Sequence, residues 1–350
     1  MPATSHTGRT ATAYWTVAPG RGELRTEFLA DPIRDEVLVR ALASGVSRGT
    51  ELLVHRHEIP REIIAEMRGP HQAGDLPGPV KYGYLTVGVV EEGPEHLLGQ
   101  RVFCLHPHQD RFVVPAADVV PIPHNVPTSR AILAGTVETA VNALWDAGPR
   151  IGDRVAVVGA GMIGLGVALL LQRHPLARLQ VVETSESRRA LLRELGLDAV
   201  TPDEAEDECD IVFHASATSA GLATTLRLLG TAGEAIELSW YGTRTPEVPL
   251  GGEFHSRRLV LRASQVGRVS PARAARRSAA DRIAIALDAL TDPVFDHLLA
   301  PAVPFAELPR VMEEIANGAR DVLCQVIEYE GAPPLGHPQS SEATTPVKES

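Results

Sequence analysis

The chain has 350 residues, enough for two domains or one elaborate one. A hydrophobic fraction of 44% and a charged fraction of 22% are those of an ordinary globular protein that closes its core without staples. Aromatics at 4% and a net charge of -11, from 44 acids against 33 bases, argue against a base-stacking surface and against non-specific binding of nucleic acid. Only Lys81 and Lys348 are lysines, so arginine supplies 33 − 2 = 31 of the bases, a bias that fits a GC-rich genome and carries no functional message. Cys104, Cys209 and Cys324 are an odd number without a C-x-x-C pair, which sets aside a disulfide framework or a Cys-rich zinc lobe. Apolar runs such as Val155 to Leu171 are punctuated by glycine and do not read as membrane spans. The polar opening has no signal-peptide core, so the expected location is cytoplasmic, with no membrane partner.

Residues 1–10 and 333–350 are polar and Pro/Ser/Thr-rich, and read as disordered tails. Residues 12 to about 125 read as β-rich: Val37–Ala41, Gly88–Glu91, Arg101–Leu105 and Phe112–Val114 are short apolar runs between Gly/Pro turns. A helical pattern runs from Ser129 to Trp145 and stops before Gly148-Pro149. From Ile151 strands and helices alternate: strand Arg154–Val158, helix Gly161–Gln172, strand Gln180–Glu183, helix Ser187–Leu195, strand Ile211–His214, helix Ser219–Leu229, then strands Glu234–Leu238 and Leu259–Ser264. That rhythm means βαβ units and a parallel sheet. Helices Asp281–Leu290 and Phe305–Asn317 and a strand Val322–Tyr329 close the chain. The predicted fold class is α/β, a β-rich domain over 11–148 followed by a doubly wound Rossmann sheet over 149–269, with 270–332 returning to the first domain.

The chemistry begins at Gly159-Ala160-Gly161-Met162-Ile163-Gly164, which follows a strand and opens a helix. A lone G-x-G-x-x-G is weak; in this context the first Gly allows the tight turn, the second lets backbone approach a pyrophosphate, and the third packs helix on strand. Glu183 stands 183 − 164 = 19 positions after the last Gly at a strand end, where an acid accepts the ribose hydroxyls of NAD and repels a 2′-phosphate. Arg188 and Arg189 nearby could instead hold that phosphate, leaving NADP open. Ser216, just past the strand Ile211–His214, is a further candidate cofactor contact. S-adenosylmethionine is the rival ligand, but its glycine loop usually opens a domain, whereas about 150 residues precede this one.

With these pieces the layout over about 12–330 resembles the medium-chain dehydrogenase/reductase superfamily of the alcohol dehydrogenase type. The resemblance rests on Ala43-Ser-Gly-Val-Ser-Arg-Gly-Thr-Glu51, Tyr82-Gly-Tyr-Leu-Thr-Val-Gly-Val-Val-Glu91, Gly152-Asp-Arg-Val-Ala-Val-Val-Gly159 and Pro304-Phe-Ala-Glu-Leu-Pro-Arg-Val-Met312. It implies a GroES-like catalytic domain before the Rossmann domain. The G-V-S-R-G-T-E and G-Y-x-x-V-G pieces most resemble the bacteriochlorophyllide a dehydrogenase-like branch, a likeness that does not carry the substrate over. Against the zinc members, Ser47, Tyr84 and Ala134 stand where the ligands belong, and the four-Cys lobe is missing, so the resemblance implies a zinc-free member.

Without zinc, an acid or base must hold the reacting oxygen. Tyr84 ranks first as that donor, with Ser47 beside it; the plainer reading has Tyr84 filling the metal's volume. His106, on the family's pocket wall, suits a proton shuttle near neutral pH, and the spacing to His108 allows a metal only if a third ligand joins. Glu138 either meets substrate hydroxyls, acts as base, or pairs with an arginine. Arg48, by resemblance, reaches the pyrophosphate. Eight arginines over 255–282 face one acid, Asp281: a solvated face with salt bridges, or an anion-capturing surface. The expected protein is a homo-oligomeric (dimer or tetramer), NAD-dependent, zinc-independent dehydrogenase of a polar secondary alcohol. The alternatives are an NADPH-dependent quinone or enone reductase and a non-catalytic dinucleotide-binding protein.

Overall fold

The computed structural model describes residues 8–332. The predicted tails fall outside that range, except that residues 8–10 are described and Thr10 already begins the first strand. The β-rich part holds β1 (Thr10–Ala18), β2 (Arg21–Phe28), β3 (Glu36–Ser47), α1 (Thr50–His55), β4 (Ala73–Gly74), β5 (Val80–Lys81), β6 (Thr86–Glu92), β7 (Arg101–Cys104), β8 (Arg111–Pro115) and β9 (Val119–Pro121). The strand β3 is buried along nearly its whole length because β6, β8 and a late strand all pair with it. Its apolar run from Val37 to Val46 follows from that position.

The pattern predicted as one helix from Ser129 is two: α2 (Thr128–Ala131) and α3 (Ala134–Ala147), broken at Ile132–Leu133. Periodicity cannot register such a break, because the apolar stripe continues across it. The helix α3 ends on Gly148 in a left-handed C-cap (φ 59°). Its Gly135 passes so close to the start of β6 that a Cβ there would lie 2.6 Å from a Leu85 methyl.

The parallel sheet follows the predicted rhythm within two residues at most ends: β10 (Arg154–Val158), α4 (Met162–Leu171), β11 (Arg178–Val182), α5 (Glu186–Glu194), β12 (Asp198–Val200), β13 (Cys209–His214), α6 (Ser219–Leu228), β14 (Leu229–Glu237) and β15 (Val260–Ala263). The exceptions are β12, a three-residue strand that the sequence reading did not predict, and β14, which begins five residues before the predicted Glu234. Strand order is β12-β11-β10-β13-β14-β15. The winding therefore reverses between β10 and β13, and the crevice beyond their carboxyl ends is where such sheets bind ligands. The chain then forms α7 (Ala279–Ala289), β16 (Leu299–Pro304), α8 (Leu308–Ala316) and β17 (Cys324–Glu328). The last strand lies antiparallel to β3, with Cys324 opposite Ser47. The fold is a GroES-like β body joined to a Rossmann sheet, the architecture of medium-chain alcohol dehydrogenases. No helix among the described residues is long and apolar enough to cross a membrane.

Candidate dinucleotide and substrate site

The three glycines of the loop have separate physical reasons. At Gly159 (φ 99°) a Cβ would sit 2.8 Å from the Ser216 backbone, and at Gly164 it would sit 1.9 Å from the Gly159 carbonyl oxygen. At Gly161 it would meet nothing within 4 Å. The outer two glycines are thus demanded by the protein's own packing, and the middle one keeps an open face at the first turn of α4. Met162 begins that helix and its Sδ accepts from Thr136 on α3 at 3.3 Å, while Ile163 follows half-buried. Glu183, just past β11, turns back on the loop: its Oε2 accepts the Ala160 N–H and its Oε1 the Ser185 N–H, each at 2.8 Å. An open backbone cradle with a carboxylate at its adenosine side fits a dinucleotide.

Arg188 reaches the same loop, at 3.4 Å from the Ala160 carbonyl, and pairs with Asp321 at 2.7 Å. Arg48 binds the same Asp321 carboxylate. The arginine expected at the pyrophosphate is therefore drawn to an acid that precedes β17. Arg189 donates to the Glu183 carbonyl and Glu186. Ser216 abuts Gly159 through its backbone, while its hydroxyl turns away to His214 Nε2 at 2.7 Å.

On the β body, Tyr84 is half-buried, its ring edge-on to Tyr82 at 6.1 Å, and it packs with Trp240 against one apolar cluster. Burial drives its phenol far above the ordinary range, Glu51 and Tyr82 push the same way, and the adjacent Ser47 and Thr50 hydroxyls pull it back. The phenol stays protonated and able to donate. Tyr84, Ser47 and Thr50 thus form one hydroxyl wall.

His106 is not part of that wall. Its ring is buried, stacked on Phe112 at 3.8 Å and on His71 at 5.5 Å, with Nδ1 held by the Pro107 carbonyl at 2.8 Å. Burial holds its pKa well below 6.5, so it is neutral where a shuttle has to titrate; the expectation of a shuttle near neutral pH is corrected. His108 diverges from it and bonds Glu51. Glu138 takes the pairing its sequence left open: it meets Arg282 at 3.1 Å between α3 and α7, both side chains buried. Arg282 also donates to Asn142 and to the Val266 carbonyl. The arginine stretch splits likewise, since Arg257, Arg262 and Arg282 have carboxylate partners.

Sequence reasoning missed two clusters. Glu51 and His108 are buried together, 2.9 Å apart. At the sheet's carboxyl edge, Glu237 accepts from His214 Nδ1 or pairs with it at 2.8 Å, and Tyr241 donates to the same carboxylate at 3.1 Å. Acids and histidines in apolar runs were the available signal, but partners 57 and 23 residues apart have no local pattern.

At the positions that the resemblance assigns to zinc ligands stand a serine hydroxyl, a phenol that burial keeps protonated, and the Ala134 methyl, a set that does not fit zinc. Among the described residues no group of three or more His, Cys, Asp or Glu is placed to hold a metal.

These features define a class: a Rossmann dinucleotide cradle facing a hydroxyl-lined β body. No family model matches the chain. It is 26% identical over 144 residues to an uncharacterized zinc-type alcohol dehydrogenase-like protein of Haemophilus influenzae, covering 38% of this chain and 42% of that one. It is 29% identical over 119 residues to L-threonine 3-dehydrogenase of Rhizobium rhizogenes, 34% of each. The matches thus span less than half the length of these curated relatives. L-idonate 5-dehydrogenase of Escherichia coli shares the fold with a TM-score of 0.74 at 15% identity, over 92% of this chain and 99% of that one. The chain is thus similar over about a third of its length to zinc-type alcohol dehydrogenase-like and threonine dehydrogenase sequences, and shares its fold with L-idonate 5-dehydrogenase over nearly its whole length.

Proposed function

We propose that this protein is an NAD-dependent oxidoreductase that interconverts a polar secondary alcohol and its ketone without zinc. The observation that carries the reading is the cluster of Tyr84, Ser47 and Thr50 hydroxyls, the first two at positions that the resemblance assigns to zinc ligands, in a fold whose glycine loop keeps an open face at Gly161. When bound, the nicotinamide supplies hydride chemistry. The chain's own residues do the rest. The Gly161 face admits the pyrophosphate, and Glu183 accepts ribose hydroxyls while repelling a 2′-phosphate, which favours NAD over NADP. Arg188 and Arg48, gathered at Asp321, neutralise charge at the loop's lip. Tyr84 donates from its Oη to a carbonyl oxygen, or receives from an alcohol in the reverse direction. Trp240 packs against the same apolar cluster as Tyr84.

A polar wall suits a hydroxylated substrate, in keeping with the idonate and threonine named for its relatives. The branch-level motif likeness leaves the substrate to experiment. We also infer a homo-oligomeric, cytoplasmic enzyme. The test is NAD⁺ reduction over a panel of vicinal diols, sugar acids and hydroxy amino acids, repeated with Tyr84→Phe. The expected outcome is turnover of at least one member, a fall in kcat/KM of about 10²–10⁴-fold in the variant, and unchanged NADH affinity. Tight NADH binding with no turnover anywhere supports a non-catalytic protein instead; reduction of quinones with NADPH alone supports the reductase alternative.

A further inference from the structure

NAD and NADP differ only in the 2′-phosphate on the adenosine ribose, so whatever separates them acts at that one group. The chain that follows Glu183 is not in itself hostile to a phosphate. Thr184, Ser185 and Ser187 supply hydroxyls, and Arg188 and Arg189 stand in the first turn of α5. An arginine close to the ribose acid is a recurrent means of accepting a 2′-phosphate. Glu183 alone therefore leaves the choice of cofactor open, and the choice turns on what the two arginines already hold.

Both are occupied. Arg189 stays within its own body, donating to the Glu183 carbonyl at 2.6 Å and to the Glu186 carboxylate. Arg188 lies against the glycine loop: it donates to the Ala160 carbonyl at 3.4 Å, and Glu183 accepts the N–H of that same residue at 2.8 Å. Guanidinium and carboxylate thus flank one residue of the loop. From there Arg188 reaches across to the other body and pairs with Asp321 at 2.7 Å. Asp321 precedes β17, the strand that lies antiparallel to β3, so the acid and the arginine come from different halves of the molecule. Ser187, Arg188 and Asp321 line one cleft of about 250 Å³ between α5 and the segments that begin β16 and β17. An anion entering that cleft meets the carboxylate as well as the guanidinium. Arg48 binds the same carboxylate, and the formal charges of Arg48, Arg188, Asp321 and Glu183 cancel. The lip of the loop has no positive charge to spare for a second phosphate group.

We propose that Asp321 is a specificity-determining residue for the cofactor: by holding Arg188 from the opposite body, it withholds from a 2′-phosphate the arginine that stands beside the ribose acid. The rejection of NADP then has two parts, repulsion by Glu183 and the commitment of Arg188 to Asp321. The proposal rests on the NAD reading given above. The pyrophosphate is common to both cofactors, so any change at Arg48 when Asp321 is altered cancels in the ratio of the two affinities. That ratio reads the 2′-phosphate.

The test is fluorescence titration of the full chain with NADH and with NADPH, in wild type, Asp321→Asn, Arg188→Ala and the double variant. The Asp321 side chain is 60% exposed, and surface ion pairs of this kind contribute little to stability, so the variant is expected to fold. Asp321→Ser, measured alongside, guards against an effect peculiar to asparagine. In both Asp321 variants the ratio of the NADPH Kd to the NADH Kd is expected to fall about five- to tenfold, the size of a charge-assisted bond to phosphate at a partly exposed site. With Arg188→Ala already in place, Asp321→Asn is expected to move the ratio by less than about twofold, because the two residues act as a pair. A ratio unchanged in Asp321→Asn and Asp321→Ser overturns the proposal, and leaves the NAD reading standing if wild type prefers NADH. An equal fall with Arg188 already replaced overturns it too, since Asp321 then acts by its own charge and not through the arginine. A wild type that binds NADPH more tightly than NADH removes the proposal and the NAD reading together.

Discussion

Glu183 shows how the structure sharpens a single-residue expectation. Its carboxylate caps the Ala160 N–H besides the ribose contact proposed for it, so Glu183→Ala is expected to disturb loop and ligand together. Glu183→Gln keeps an oxygen for Ala160 and removes the charge. Losing a charge-assisted bond of about 1.5–3 kcal/mol is expected to weaken NADH binding roughly ten- to a hundredfold and to relax rejection of NADPH, read by fluorescence titration. Wild type binding NADPH more tightly than NADH contradicts the assignment. Glu138 makes a different prediction. Burial pushes its carboxyl up to about 7 from 4.5, with Arg282 pulling the other way. The folded state therefore holds a proton that the unfolded chain has released, and this group's contribution to stability falls as pH rises from 4.5 through about 7. Glu138→Gln is expected to remove that slope, so that the melting temperature of the variant gains on wild type across the window. A constant difference between the two curves contradicts it. His106 was misjudged from sequence because a histidine's titration depends on its neighbours in space. Phe112 and His71, which bury it, lie 6 and 35 residues away.

At the scale of elements, the Rossmann rhythm was legible because parallel strands buried on both faces read as continuous apolar runs and the glycine loop marks their phase. The β body was legible only as β-rich. Its first hairpin, β1 with β2, carries charged residues on its exposed side, and α1, which holds Glu51, is six residues long and too short for periodicity. The loop glycines allow a direct test of which features serve packing and which serve ligand. Gly164→Ala puts a methyl 1.9 Å from the Gly159 carbonyl oxygen and is expected to cost more than about 2 kcal/mol, separating α4 from β10. Gly161→Ala meets nothing within 4 Å and is expected to stay within about 1 kcal/mol of wild-type stability while losing NADH binding. Equal melting temperatures for the two variants, or NADH binding retained by Gly161→Ala, contradict this division.

Across the whole molecule, the two bodies are tied on both sides of the cleft. Arg48 of the β body and Arg188 of the Rossmann sheet share Asp321. Opposite, the segment after β14 crosses over: Thr243 donates to the Glu58 carbonyl at 3.1 Å, and Gly242 leaves no room for a Cβ, which would lie 2.5 Å from that oxygen. Among the described residues no strand pairs with the outer side of β15, which exposes Val260 and Leu261. An unpaired apolar edge invites a second strand, so the homo-oligomer proposed above is expected to pair there. Leu261→Lys is expected to shift light-scattering mass from dimer to monomer; a monomeric wild type contradicts it.

The proposed dehydrogenase uses the Tyr84 hydroxyl cluster in place of a metal. The measurement that bears on it most directly is alcohol-dependent NAD⁺ reduction before and after exhaustive chelation, with zinc content determined on the same samples. The expected result is less than stoichiometric zinc and an unchanged rate after chelation. Zinc near one per chain, lost together with activity and restoring it on return, would contradict it.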